Sequence, residues 1–299
     1  MRIEVDAVSA GERLDGLIAA RCGLSLRQAR ALLEGGAVRV SGGSLAKGRR
    51  MEAGAWIEVD VGEAPAEVVL RPQPEVQLVV LYEDEHLVAV NKPGPLPSHP
   101  LRADEGPTAA GALIARFSEC ASASEDPREG GLGHRLDRGT SGVLLAARTR
   151  TAWHGLRAAL GDVSCEKSYL AEVAGHTPLS EVVFEPIGRG GPRGGQAVVG
   201  GGRDPLPART EVERVALRSQ STLVRARLAS GRVHQVRAHL AHLGHPVLGD
   251  EVYADGPARL IAAALQVDGL RLHAESVRLQ HPVTGTPLRV TAPPPDWAR

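Results

Sequence analysis

From Leu78 to the end of the chain, short β-patterned segments follow one another with few helices between them. Strand candidates are 78–81, 86–91, 142–147, 168–174, 210–217, 222–228, 270–273 and 288–291. Helical spacing is confined to 108–117, 151–160 and 233–243. Strands that succeed one another without an intervening helix cannot build a doubly wound parallel sheet. The expected fold class is therefore α+β, with a mixed, largely antiparallel sheet and flanking helices.

Within this region, Gly133-His134-Arg135-Leu136-Asp137-Arg138-Gly139-Thr140-Ser141-Gly142 sets one carboxylate between two arginines and follows it with small turn-forming residues. Val143-Leu144-Leu145-Ala146-Ala147 then reads as a buried strand. An acidic side chain on a tight loop feeding a sheet core is well placed at the floor of a cleft. Ordinary turn chemistry, in which Asp bonds its own backbone, is the competing reading of the same residues.

The 299 residues suffice for one sizeable core and a small module. Hydrophobic content of 42% and charged content of 23% suit a globular chain, and no apolar run approaches the ~20 residues of a membrane span. The acids in Met1-Arg2-Ile3-Glu4-Val5-Asp6 argue against a secretory leader. Cys22, Cys120 and Cys165 share no CxxC spacing. A cytoplasmic, monomeric protein with reduced cysteines is expected. The net charge is +0, yet residues 21–50 carry Arg21, Arg27, Arg30, Arg39, Lys47, Arg49 and Arg50 against Glu34 alone. Residues 51–130 are acidic and 131–250 basic again, which points to a polyanion footprint on part of the surface.

The first sixty residues read as a unit of their own. Leu14, Leu17 and Ile18 have helical spacing, and Ser25 with Gln28 forms a capping-box signature for a second helix over 26–34, ended by Gly35-Gly36. Strands are expected at 37–40 and 55–61. Residues 1–62 are taken as one domain, 63–77 as a proline-stiffened linker and 78–299 as a second domain. The Gly/Arg/Pro-rich stretch 188–207 is expected to be a flexible loop.

The run HRLDRGTSG with its apolar strand resembles the signature loop of the RluA family of pseudouridine synthases. Three further segments match in order: 82–93 ending in Asn91-Lys92-Pro93, 166–175 around Lys167-Ser168-Tyr169, and 231–253 from Gly231-Arg232-Val233-His234-Gln235-Val236-Arg237 to Tyr253. Gly94-Pro95-Leu96-Pro97 is a small departure. The first unit resembles an S4-type RNA-binding domain, a small α/β module, through Arg13-Leu14-Asp15, 26–30 and 35–40. There Ser41-Gly42 replaces the usual Asn-Gly.

The resemblance implies the pseudouridine synthase fold and isomerisation of uridine in RNA to pseudouridine, without metal or organic cofactor. The C1′–N1 bond breaks, the base turns over and C1′ bonds to C5. Asp137 is implied as nucleophile or base, Arg237 as its ion-pair partner, and Tyr169 as the residue stacking on the target uracil. A flipped-out nucleotide leaves a gap in the RNA stack, and Arg135 matches the position that fills it. His134 is implied to shape the loop or touch a phosphate, and Arg232 to bind RNA. His234 supports Arg237 or contacts the RNA backbone. Arg27, Arg30 and Lys47 are implied as phosphate contacts of the first module.

The S4-like module favours large-subunit ribosomal RNA over transfer RNA. A non-catalytic RNA-binding or ribosome-assembly protein is the alternative. A hydrolase lacks a nucleophile motif such as GxSxG. His234, His239, His242 and His245 crowd one segment without an HExxH-type ligand set, so no metal is expected.

Overall fold

In the computed structural model the described residues are 1–299 apart from 43–47, 61, 63–67, 103–104, 191–195 and 229–230, with the Arg27 side chain also outside them. Lys47 therefore lies outside the described residues. The chain divides into two compact units, Met1–Glu67 and Val68–Arg299.

In the first unit, β1 (Arg2–Glu4), α1 (Leu14–Cys22), α2 (Leu26–Glu34), β2 (Val38–Val40) and β3 (Trp56–Val59) form two helices against a sheet of order β1-β3-β2. Leu14, Leu17, Ile18, Leu32, Leu33, Val38, Ile57 and Val59 make its core. The Ser25–Gln28 capping box is present: the Gln28 amide N–H donates to Ser25 Oγ at 3.2 Å, and the Ser25 N–H to Gln28 Oε1 at 2.9 Å.

The second unit starts earlier than the sequence predicts. Leu70, Val76 and Leu78 pack on its core, and the Thr108 N–H donates to Gln73 Oε1 at 2.9 Å. Residues 68–77 are thus anchored to this unit and not a linker, because apolar side chains interrupt the prolines. The elements then run β4 (Val79–Glu83), β5 (Leu87–Lys92), α3 (Ala109–Arg116), β6 (Ser141–Ala147), α4 (Arg150–Gly161), β7 (Glu166–Ala174), β8 (Ser180–Val183), β9 (Ile187–Gly190), β10 (Gln196–Val199) and β11 (Arg203–Leu206). After them come β12 (Thr210–Leu217), β13 (Ser221–Leu228), α5 (Gln235–His242), α6 (Gly256–Ala264), β14 (Leu272–Gln280) and β15 (Pro287–Thr291).

Nine strands of the described residues form one sheet of order β4-β5-β6-β14-β7-β13-β12-β8, with β15 on β14. Every pairing is antiparallel except β14 with β6. The central strands are buried on both faces, which explains their unbroken apolar runs. Leu87, Ala89, Val143 and Leu145 face Trp153, Leu156 and Leu160 of α4. Val88, Val90, Leu144 and Ala146 face Leu113 and Ile114 of α3. In the stretch 188–207, expected as a flexible loop, most of the described residues instead belong to β9, β10 and β11, which form a second sheet of order β10-β9-β11. Ile187 and Ala197 turn inward there, against Ala208, Ala238 and Tyr253.

Gly142 shows how tightly the site is built. Its φ is +110°, and a Cβ there would lie 2.2 Å from the Ala274 carbonyl oxygen of β14. Only glycine lets the parallel partner approach where the Asp137 loop enters the sheet.

Candidate active site

Asp137 sits on the loop leading into β6, and that loop is braced from several sides. The Ser98 hydroxyl donates to the Leu136 carbonyl at 2.8 Å and accepts from the Leu136 N–H at 3.0 Å. The fully buried Lys92 ammonium donates to the carbonyls of Leu96, Pro93 and Arg138 at 2.7, 3.0 and 3.3 Å, so its three hydrogens tie two loops together. Burial pulls this ammonium down to about 7, and the Asp137 charge works in the opposite direction. The Leu145 N–H donates to His134 Nε2 at 3.1 Å. Burial first, then the charges of Lys167 and Arg157, push His134 down to about 3. His134 is thus a neutral acceptor at Nε2 that pins the loop to β6.

Arg237 reaches Asp137 from one hundred residues away, on the first turn of α5. Its Nη1 donates to Asp137 Oδ2 at 2.8 Å. Its other edge is gripped by the fully buried Asp250, with Nε on Oδ2 at 2.7 Å and Nη2 on Oδ1 at 2.8 Å. One planar guanidinium therefore bridges two carboxylates. Asp250 Oδ1 also accepts from the N–H groups of Val252 and Tyr253, at 2.8 and 3.0 Å. Burial opposes the charge on Arg237, but Asp250 and Asp137 outweigh it and raise its pKa further. Burial likewise opposes the Asp250 charge, and Arg237 overcomes it, holding this carboxyl below its usual range.

His234 precedes α5 in a left-handed conformation, φ +54°, so the helix begins at Gln235 and not at Val233. This turns His234 Nε2 to 3.6 Å from Asp137 Oδ1, while Nδ1 lies 3.0 Å from the Tyr253 hydroxyl. That hydroxyl accepts from the Ala197 N–H at 2.8 Å, so its own proton is free to go to Nδ1, leaving the imidazole hydrogen on the Asp137 side. Burial lowers the His234 pKa despite the nearby carboxylates. The Tyr253 ring lies under the Arg237 guanidinium, 5.3 Å from it.

Tyr169, half-buried on β7, lines the same cleft. Burial and then the Asp137 charge push its phenol above the usual range, so it is a neutral hydroxyl and not a base near pH 7. The cleft has a volume of about 440 Å³ and is lined by Asp137, Tyr169, Arg237, Arg135, Arg232 and His234 among others. Arg135 is exposed at its wall, and Arg232 donates from Nε to the Pro207 carbonyl at 3.1 Å.

Every site residue predicted in the second unit is therefore gathered at one opening. In the first unit, Arg30 donates to the buried Asp15 at 2.7 Å, as Arg13 does at 3.0 Å. Arg30 keeps an exposed side chain but is anchored on that acid. Asp250, Tyr253, Lys92 and Ser98 went unassigned at the sequence level. The one available signal was lysine usage, since the chain has three lysines and Lys92 and Lys167 are both buried at this cleft or its loop. His239, within the histidine-rich segment, is spent on Thr210 Oγ1 and the Glu185 carbonyl at 2.8 and 3.0 Å. The described residues hold no cluster of three metal-ligating side chains.

Residues 86–242 match the family model described as RNA pseudouridylate synthase. The chain belongs to that family, in its RluA branch. It is 36% identical over 290 residues to an uncharacterised RNA pseudouridine synthase of Mycobacterium bovis, covering 96% of this chain and 92% of that one. It is 33% identical over 297 residues to the ribosomal large subunit pseudouridine synthase D of Vibrio vulnificus, covering 96% and 88%. Among solved structures, human RNA pseudouridylate synthase domain containing 1 is similar, with a TM-score of 0.57 and 25% identity over 75% of this chain and 86% of the other.

Proposed function

We propose that this RNA pseudouridine synthase isomerises uridine in large-subunit ribosomal RNA, with Asp137 as its catalytic carboxylate. The observation that carries the reading is the Asp137–Arg237 contact at 2.8 Å inside a cleft that Tyr169 also lines. The reaction needs a charged carboxylate held still beside an extruded nucleoside, and the guanidinium supplies both charge and orientation. Tyr169, kept neutral, presents a ring face to the uracil. Arg135 at the cleft wall occupies the gap left in the RNA stack, and Arg232 and His234 contact the strand. His134 acts through the loop it pins.

Residues 1–62 serve as an S4-like RNA-binding module, in which Arg27, Arg30 and Lys47 meet phosphates. The choice of ribosomal over transfer RNA rests on that module and on the names of the bacterial relatives. The protein acts as a cytoplasmic monomer. Tritium release from RNA labelled at uridine C5 tests the assignment: the wild type releases it and Asp137→Asn does not. Release at the wild-type rate by Asp137→Asn removes Asp137 from the chemistry. Pseudouridine mapping of cellular RNA with and without the protein identifies the substrate, and a signal confined to transfer RNA overturns the ribosomal assignment.

A further inference from the structure

Lys167 stands out among the charged residues of the cleft. It is 6% exposed, lines the cleft, and among the described residues contacts no carboxylate. Among the described residues its one hydrogen-bond acceptor is the Leu160 carbonyl at 2.8 Å, near the end of α4. Two of its three ammonium hydrogens thus have no acceptor among the described residues. A buried cation left in this state has a deficit that an anion from outside can fill.

The surroundings point the same way. Lys167 is two residues from Tyr169 on β7, so both side chains leave the strand on the same face, about 7 Å apart. Arg157 of α4 and Arg232 line the same part of the cleft. Arg157 is exposed, touches the Gly133 carbonyl at 3.5 Å and lies over the Trp153 ring at 5.4 Å. The acids lining the cleft are Asp137, already held by Arg237, and Glu129. Three cations thus face one free carboxylate. The Leu160 carbonyl, whose helix-end partial charge would repel an anion, is covered by Lys167 itself.

We infer that Lys167, flanked by Arg157 and Arg232, forms a phosphodiester subsite that grips the RNA backbone beside the nucleotide stacked on Tyr169. The inference deepens the proposed function and rests on RNA being the substrate. The compact ammonium at this site acts as a point charge. A phosphate held here fixes the backbone while the base turns over, so the subsite acts on binding and placement and leaves the chemistry to Asp137.

The test uses the full chain and a transcript of large-subunit ribosomal RNA, tritiated at uridine C5, with Lys167→Gln and Arg157→Gln compared with wild type over a range of KCl. Loss of one charge-assisted contact is expected to raise KM about tenfold while kcat falls less than twofold. The slope of log affinity against log salt is expected to flatten by roughly 0.7 per lost contact, and about twice that in the double variant. Arg157→Gln alters an exposed side chain and keeps the test readable if Lys167→Gln folds poorly. Unchanged KM and salt slope in both variants overturn the subsite. So does a fall in kcat and melting temperature with an unchanged slope, which would make Lys167 a cap for α4 and nothing more. Filter binding of the same transcript reads the slope without turnover. A wild type that binds but releases no tritium therefore refutes the proposed function, while the subsite is still judged by its own slope.

Discussion

Replacing Asp250 with asparagine tests whether Arg237 must be gripped from behind in order to act on Asp137. Asp250 accepts from Arg237 through both oxygens, and from the Val252 and Tyr253 N–H groups through Oδ1. An asparagine must turn its NH2 either toward Arg237 or toward those two backbone donors. Either way donor faces donor, and the buried guanidinium loses half its countercharge. Removing one partner of a buried pair costs about 3–5 kcal/mol; with one acceptor retained, about 2–3 kcal/mol is expected here. For a unit spanning Val68–Arg299 this lowers the melting temperature by roughly 5–10 °C. An Arg237 fork free to shift by about 1 Å should cost kcat about 100-fold. KM should change little, because Asp250 is wholly buried behind Arg237. Tritium-release kinetics at a temperature well below the melting transition give kcat and KM separately. A kcat within twofold of wild type, with Arg237→Gln inactive in the same assay, refutes the anchoring argument.

Tyr169→Phe should keep KM within about threefold, and Tyr169→Ala should raise it 10- to 100-fold, since stacking on a base is worth about 1–3 kcal/mol; equal losses in both would mean the hydroxyl carries the role. His134 is held at about 3 in the fold and near 6.5 when unfolded, so only the unfolded chain gains a proton as pH falls below 6.5. Stability should drop by about 3 kcal/mol between pH 6.5 and 3.5, and His134→Gln should flatten that slope in thermal melts. Asp15, held at about 2 chiefly by Arg13, contributes roughly 2 kcal/mol above its unfolded value near 3.8, lost as pH falls toward 2; Asp15→Asn should remove this acid dependence in urea unfolding followed at Trp56. Deleting residues 1–62 should weaken RNA binding and flatten its salt dependence, and an unchanged slope would remove the first module from the interface.

The proposed trio of Asp137, Tyr169 and Arg237 was legible through the family resemblance, because each member lies inside a contiguous matching motif: Asp137 in a turn that feeds a strand, Tyr169 in a β run, Arg237 in a helical one. The double-sided apolar runs at 87–90 and 143–147 likewise fixed the centre of the sheet. What the sequence hid was support that acts across the chain. Asp250 is one of two adjacent acids after a glycine until α5 is folded beside it, and nothing local marks it as the clamp on Arg237. Lys92 looks like the end of a strand until two loops converge on its ammonium. The stretch 188–207 read as a loop because glycine, arginine and proline dominate it; the few inward apolar residues of its strands find a surface only once Tyr253 and Ala238 are folded beside them. The start of α5 was misjudged for a related reason. Local spacing favours helix at Val233, but contacts to Asp137 and Tyr253 hold His234 left-handed.

On the role proposed for Asp137, these supports explain how one carboxylate can suffice. A reaction that makes and breaks bonds at one sugar carbon leaves little for the protein to do except hold charge and geometry fixed while the base rotates. The groups that hold them are already committed: the buried Lys92 to three carbonyls, the partly buried His134 to a backbone N–H, and the buried Arg237 to two carboxylates. Groups with donors to spare lie at the exposed Arg135 and Arg157 and at Lys167 in the cleft wall. A floor braced by committed groups and a rim with donors to spare is the arrangement expected if the RNA backbone is seized at the edge while the nucleoside meets a surface that does not rearrange. It follows that rim substitutions should act on KM and salt dependence, and floor substitutions on kcat.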